Sequence, residues 1–227
     1  YEIPTWILNA PKNIKREFLS SFLGSEMSLP TGRRHLDFDV PRISISKRED
    51  IIKNGLLIAQ QLKKLFNIFN IKISDISVKN GNIRKDGTKT KKIVMTFSNK
   101  EENLINLFEK VGTNYCHEKE QHLYLIARYL LAKKFARYNK KRLTQKIKQL
   151  KKSGFSDSEI GKLLGFDKQL NSKDIPYQHR QSDVVRKFIR SKNKLLRGFP
   201  NFNNWRNTIL ENCLIDEIAV IKESVSN

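Results

Sequence analysis

The chain has 227 residues, and its 44 Lys and Arg against 23 Asp and Glu give a formal net charge of +21. An excess of this size indicates a polyanionic partner, either nucleic acid or an anionic membrane surface, and is unusual for a metabolic enzyme. No stretch of 18 apolar residues predicts a membrane span, and the first ten residues lack the pattern of a signal peptide. We therefore expect a cytoplasmic protein with no membrane partner.

The first predicted elements are a helix, a strand and a second helix. Apolar residues recur at helical spacing from Lys12, after Pro11, and this helix is expected to end at Glu26. Residues 35–46 follow as a half-buried strand, in which polar and apolar side chains alternate beyond Pro41. Residues 49–69 predict a helix that Asn70 caps.

The next stretch predicts a hairpin and a third helix. Residues 71–79 alternate as a strand, with a shift near Asp75, and residues 93–98 form the returning strand. The polar, basic stretch 80–92 between them has Gly81 and Gly87 as turn residues, and residues 100–111 have helical spacing. Strands that come in hairpins predict an α+β fold, an antiparallel sheet with helices on one face.

The character of the chain changes after Gly112. Residues 118–152 predict a helix with a break near Asn139, and the stretch 133–152 holds ten Lys or Arg and no acid. Ser156 and Glu159 have the spacing of a capping box at the start of a helix over 156–164. Residues 143–150 with 154–166 are similar to the first two helices of a helix-turn-helix, and a basic helical linker is the alternative.

The remaining elements and the domain boundaries complete the predicted organisation. Residues 182–196 predict another basic helix, 202–210 a helix and 215–220 a final strand. The predicted domains are a half-domain over 1–115, a basic helical DNA-binding region over 116–198 that contains the helix-turn-helix-like segment, and a C-terminal segment over 199–227. Neither Cys nor His residues have the spacing of a zinc site.

One segment resembles the signature of a known family. Residues 18–27, Phe-Leu-Ser-Ser-Phe-Leu-Gly-Ser-Glu-Met, look like the dodecapeptide of LAGLIDADG (DOD-type) homing endonucleases, and the element order of residues 12–111 is similar to that family's half-domain of helix, two strands, helix, two strands and helix. Residues 113–119, 199–205 and 214–221 resemble segments of intein-borne archaeal members. The resemblance thus covers nearly the whole chain.

This resemblance implies a site-specific endonuclease that makes double-strand breaks in DNA with Mg²⁺. It implies that Glu26 is a catalytic residue and metal ligand and that a basic residue near the end of the fourth strand, Lys100 or alternatively Lys92 by position, helps to activate water. It also implies a second half-domain, supplied by a missing N-terminal portion or by an identical subunit. The alternatives are a catalytically inactive DNA-binding protein or regulator of this fold and an RNA-binding maturase. Self-splicing is not supported, because Tyr1 is not a splicing nucleophile and Asn227 follows Ser226 rather than His.

Two basic surfaces are predicted to bind double-stranded DNA, with Arg able to read base edges and Lys able to contact phosphates. On the sheet and its loop the predicted residues are Arg33, Arg34, Arg42, Ser44, Ser46, Arg48, Arg84, Lys85, Lys89, Lys91 and Lys92. On the basic helix they are Lys133, Lys134, Arg137, Lys140, Lys141 and Arg142.

Overall fold

The computed structural model describes residues 2–32, 38–165, 185–186 and 199–209. The chain divides into two units: unit 1 comprises Tyr1–Leu131 with Pro200–Asn227, and unit 2 comprises Ala132–Phe199. In the described residues, unit 1 is α+β and unit 2 is helical. Among these residues no helix is long and apolar enough to cross a membrane.

Two helices open unit 1. A short helix that the sequence did not predict, α1 (Thr5–Asn9), precedes α2 (Lys12–Glu26). Pro11, expected in the first turn, is instead the N-cap of α2, where its missing N–H costs no intrahelical hydrogen bond. The buried face of α2 consists of Leu19, Ser20 and Leu23.

The sheet has three antiparallel strands, β1 (Arg42–Arg48), β2 (Ile73–Ile83) and β3 (Lys89–Phe97), in the order β1-β3-β2. The register of β2 against β3 shifts between Ile73 and Asp75, which confirms the shift predicted there. Both hairpin strands extend further than the sequence indicates. Gly81 is consequently a residue of β2 beside a second irregularity and not a turn residue, whereas Gly87 lies in the turn with a φ of 78°.

Where a strand pair is expected between the first two long helices, the described residues contain one strand, β1. The chain leaving α2 pairs with the outer edge of β1 through single contacts. Met27 bridges Ile43, the Ser28 N–H donates to the Arg42 carbonyl at 2.8 Å, and the Arg42 N–H donates to Ser28 Oγ at 3.0 Å. Gly32 and Phe38 make an isolated bridge.

One face of the sheet carries the core of unit 1. A 3₁₀ turn (Glu49–Ile51) leads into α3 (Ile52–Ile68), whose buried residues include Leu62, Leu65 and Phe66. The Phe66 ring meets Phe97 of β3 edge to face, with centroids 5.1 Å apart. Helices thus cover this face, as predicted.

After the sheet, α4 (Glu101–Asn106) continues into a π-helical turn (Leu107–Val111) that ends at Gly112, whose φ is 66°. The next helix, α5 (His117–Lys152), is continuous over 36 residues. The break predicted near Asn139 is wrong, since no Gly or Pro interrupts the stretch between Gly112 and Gly154 and neighbouring residues are strong helix formers.

Unit 2 is built from the second half of α5 and from α6 (Asp157–Leu163). The predicted capping box is present: Ser156 Oγ accepts the Glu159 N–H, and the Glu159 carboxylate accepts the Ser156 N–H at 2.8 Å. Ile147, Ile160 and Val185 are fully buried together, and Leu143, Leu150 and Leu164 pack against them. Val185 and Arg186 are helical, but most of the helix predicted over 182–196 lies outside the described residues, as does the strand predicted over 215–220.

Residues 202–209 are helical and return to unit 1. Asn201 Oδ1 accepts the Asn204 N–H at 2.9 Å and so caps this helix. The Phe202 ring packs edge to face against Phe38 and Tyr129, with centroids 5.0 and 5.5 Å apart. An aromatic cluster therefore holds the helix of residues 202–209 on unit 1.

Candidate nucleic-acid interface

The face of the sheet away from α3 is polar and basic. Arg42, Ser44, Ser46 and Arg48 alternate with Ile43, which is fully buried on the other face. The strand register extends this outer face, hereafter the open face, across the other two strands. Its members in β3 and β2 are Thr90, Lys92, Val94, Thr96, Asp75, Ser77 and Lys79.

Two lysines meet at the middle of the open face. Lys92 stands directly between Ser46 of β1 and Lys79 of β2 in the register. Like charges at opposed positions repel each other. Both lysines are exposed, and neither is paired with an acid among the described residues. This arrangement concentrates positive charge that is available to an outside anion.

Two arginines and one acid complete the charge of the open face. Arg42 is exposed, while Arg48 forks onto the Asp50 carboxylate through contacts of 2.6 and 3.1 Å. That ion pair is solvent-exposed and therefore weak, so Arg48 stays available for exchange to a phosphate. Asp75 is the acid on this face, two strands away from Arg42. Four cations stand against Asp75 on this face and Asp50 beside it, so the face keeps a net positive charge.

The turn that joins β2 to β3 presents Arg84, Lys85 and Lys89, all exposed. Asp86 organises this turn, because its carboxylate accepts the Thr88 N–H at 3.0 Å. Hydrogen bonds from the backbone and then the side chain of Thr88 hold the pKa of Asp86 below its ordinary value. The three cations thus project from a turn of defined shape.

Other predicted residues lie elsewhere. Lys91 is on the opposite face from Lys92, where it contacts Glu49 at 3.1 Å and donates to Asn80 at 2.9 Å. Arg33 and Arg34 are outside the described residues. The sequence treated residues 80–92 as a loop and so missed that strand alternation separates Lys91 from Lys92 and adds Lys79.

The predicted residues of the basic helix divide by exposure. Lys134, Lys141 and Arg142 are exposed. Arg137 and Lys140 are half-buried, and Lys133 is only 6% exposed, each with an interaction inside the protein. Lys133 is therefore poorly placed to meet a phosphate.

Glu26 and Lys100 are not brought together by neighbouring strands. Glu26 is exposed at the end of α2, next to Met27 on the outer edge of β1. Lys100 is the N-cap of α4, and Ser98 just before it donates its N–H to the Lys72 carbonyl, at the β2 edge. Lys100 therefore follows the end of β3, whereas Glu26 lies beyond the outer edge of β1. Among the described residues, no group of three or more His, Cys, Asp or Glu can hold a metal ion.

The small residues of α2 serve packing inside unit 1. Ser20 is buried, and its Oγ accepts the Asn114 N–H at 2.8 Å. A Cβ at Gly24 would lie 3.2 Å from the Cys116 Cβ. Lys119, which sequence reasoning missed, donates to the Gly24 and Met27 carbonyls at 2.7 and 3.0 Å. These hydrogen bonds satisfy two carbonyl groups at the C-terminus of α2, and the lysine charge offsets the negative end of the helix dipole.

Comparison with known proteins gives two relatives, both from Methanocaldococcus jannaschii. The DNA-directed RNA polymerase subunit Rpo1N is 37% identical over 148 residues, which are 65% of this chain and 10% of that protein. The tRNA-splicing ligase RtcB is 27% identical over 229 residues, covering 98% of this chain and 22% of that protein. The chain thus spans a tenth to about a fifth of these relatives. No family model matches it, and no solved structure matches it significantly.

These comparisons correct the functional interpretation drawn from residues 18–27. No homing endonuclease family is matched, and the relatives carry the names of a polymerase subunit and an RNA ligase. The assignment to the LAGLIDADG homing endonucleases is therefore overturned, and with it site-specific DNA cleavage, an intein origin and the maturase alternative. The dodecapeptide is degenerate, and the small residues that suggested it are explained by the packing of α2 against residues 114–119.

Proposed function

We propose that this chain is a nucleic-acid-binding module of larger proteins and that it binds double-stranded DNA on the open face. The observation that carries the proposal is the opposed pair Lys79 and Lys92 in the middle of that face. Two like charges placed side by side cost folding free energy, and an anionic ligand removes that cost.

The chemistry of the open face suits a duplex. Lys79 and Lys92 can neutralise phosphates, and Arg42 at the end of β1 carries the planar fork that pairs with guanine in the major groove. Hydroxyl groups of Ser44 and Ser46 lie between cations of this face, and Thr96 stands beside Arg42, as further donors. Antiparallel strands are a known means of reading DNA grooves.

The names of the relatives agree with a polynucleotide ligand. One is a DNA-directed RNA polymerase subunit, and the other is a tRNA-splicing ligase. The regions of this chain that the two relatives match must overlap, because they cover 65% and 98% of it. The matched region occurs in proteins with two different names, so it is not specific to either named reaction. Both names involve a nucleic acid, so contact with nucleic acid is the property that the two relatives share.

The test is the salt dependence of binding to a fluorescent duplex, measured by anisotropy with the full chain. We compare the parent with Lys79→Gln/Lys92→Gln and with Lys91→Gln as the matched control. Each phosphate contact contributes about 0.9 to the slope of log K against log salt, so the double variant should flatten the slope by about 1.8. The control should leave the slope unchanged, since Lys91 lies on the other face.

A third variant should change the affinity for duplex DNA in the opposite direction. Asp75→Asn removes the acid of the open face and should tighten duplex binding at low salt. If the double variant and the Lys91 control have equal slopes, the open face does not bind DNA. Equal melting temperatures of parent and variants would exclude loss of folding as the cause of any change.

A further inference from the structure

Two aromatic rings of unit 2 stand exposed on α5. Phe135 is 65% exposed and Tyr138 is 61% exposed. They lie three positions apart, so they are neighbours on one side of the helix, with Cβ atoms about 5–6 Å apart. Single exposed apolar residues are ordinary, but two adjacent rings form a small apolar platform.

The residues that surround these rings are basic or amide-bearing. At helical spacing the same face carries Lys134, Lys141, Arg142, Gln145 and Lys146, all exposed, and it has no acidic residue. The opposite face of this part of α5 holds Leu143, Ile147 and Leu150, which belong to the core of unit 2. The two rings therefore lie on the solvent side of α5 and are not part of the core of unit 2.

The cations of this face have no partner in the described part of the chain. No ion pair joins Lys134, Lys141 or Arg142 to a described acid. Asp157, the nearest acid in α6 along the chain, is instead engaged by Lys151 at 2.7 Å and by Arg186 at 3.2 Å. The face thus offers positive charge and flat rings together.

We propose that this aromatic and basic face of α5 binds single-stranded nucleic acid, with unpaired bases stacked on Phe135 and Tyr138. Lys134, Lys141 and Arg142 meet the phosphates of the same strand. Every base has a π-face, so such stacking tolerates any sequence. In a duplex the bases stack on each other and their faces are closed to side chains, so this ligand differs from the duplex proposed for the open face.

Charge and shape together favour single-stranded nucleic acid as the ligand of this face of α5. Phosphates complement four cations without an acid, and bases complement the rings. A membrane-bound helix needs a continuous apolar face, whereas here amides and cations flank just two rings.

The experiment measures binding of the full chain to labelled oligouridine, oligothymidine and duplex DNA and, separately, to phosphatidylcholine–phosphatidylserine vesicles. Phe135→Leu/Tyr138→Leu keeps an apolar, helix-favouring side chain at both positions but removes the flat rings. Stacking on one ring changes affinity by roughly 5- to 150-fold, so the double variant should lose at least about tenfold on both single strands. Tyr138→Phe is the matched control and should bind within about twofold of the parent.

The results separate this proposal from the proposed function. Unchanged duplex binding by the leucine variant, with loss on the single strands, supports the platform whatever happens to the Lys79 and Lys92 variant. Parental affinity of the leucine variant for both oligonucleotides overturns it. So does a loss confined to phosphatidylcholine–phosphatidylserine vesicles, which would identify an anionic membrane as the occupant. Circular dichroism melts confirm that each variant is folded.

Discussion

Replacing Gly55 by Ala should destabilise unit 1, although Ala is the better helix former. Gly55 is buried in α3 where the helix crosses the sheet. A Cβ there would lie 2.5 Å from Ile93 Cδ1 and 3.0 Å from Lys47 Cγ. Ile93 belongs to the central strand β3 and is fully buried. The added methyl therefore meets a side chain that has no free space beside it.

The magnitude follows from two opposed terms. Carbon atoms pack best at about 3.5–4.0 Å, so Ile93 Cδ1 must move by about 1 Å or more. Overpacking of this kind typically costs about 1–3 kcal/mol. The better helix propensity of Ala returns about 0.8–1.0 kcal/mol. The net loss should be about 1 kcal/mol, which corresponds to a fall in Tm of roughly 2–4 °C for a chain of this size.

A double-mutant cycle with Ile93→Val tests this reasoning by thermal melts of the full chain. Valine lacks the Cδ1 atom, so the closest contact disappears and only the approach to the Lys47 side chain at 3.0 Å is left, and Gly55→Ala should then be nearly neutral. The two substitutions should couple by about 1–2 kcal/mol. A rise in Tm for Gly55→Ala in the parent, or additive effects in the cycle, would refute the close approach of α3 to β3.

Three further predictions concern helix ends and a carboxylate. Ser156→Ala should cost about 0.5–2 kcal/mol by removing the capping box, measured by chemical denaturation, and an unchanged midpoint would exclude the cap. A hydrogen bond from Lys151, and then one from Arg186, lowers the pKa of Asp157. The stability from this carboxylate is present above its unfolded-state pKa and is lost as the pH falls through the lower folded-state pKa; acid melts of Asp157→Asn should therefore lack this loss, and identical acid profiles would contradict the bridge. Glu26→Gln should stabilise α2 by about 0.3–1 kcal/mol at low salt, because a carboxylate at a helix C-terminus opposes the dipole. Added Mg²⁺ should raise the parent's Tm and not this variant's if Glu26 is the predicted metal ligand.

Local signals in the sequence predicted local structure well. The capping box at Ser156, the strand shift near Asp75 and the helix α3 each depend on residues a few positions apart, and each is confirmed. The face of β1 was also predicted correctly, because alternation of Arg42 and its neighbours is visible in the chain itself.

Contacts between distant residues could not be predicted in this way. The outer edge of β1 is paired by Met27, which replaces the strand expected there. Lys119 donates to the carbonyl of Gly24, 95 positions earlier, and a lysine on a basic helix carries no local sign of that role. The opposition of Lys79 and Lys92 likewise depends on how far both strands extend.

Tyr129 and Pro200 lie side by side in space. The Tyr129 hydroxyl donates to the Pro200 carbonyl at 3.0 Å, across 71 positions of sequence. The chain therefore leaves unit 1 and re-enters it at nearly the same point, which makes unit 2 an insertion with adjacent ends. The outgoing boundary falls inside α5, so removing unit 2 would cut that helix near Leu131. Closing the gap with a tenfold shorter link changes the loop-closure entropy term by only about 2 kcal/mol. Unit 2 can therefore be removed at a modest entropic cost, and the new end of the shortened α5 then needs a C-cap for its freed carbonyls.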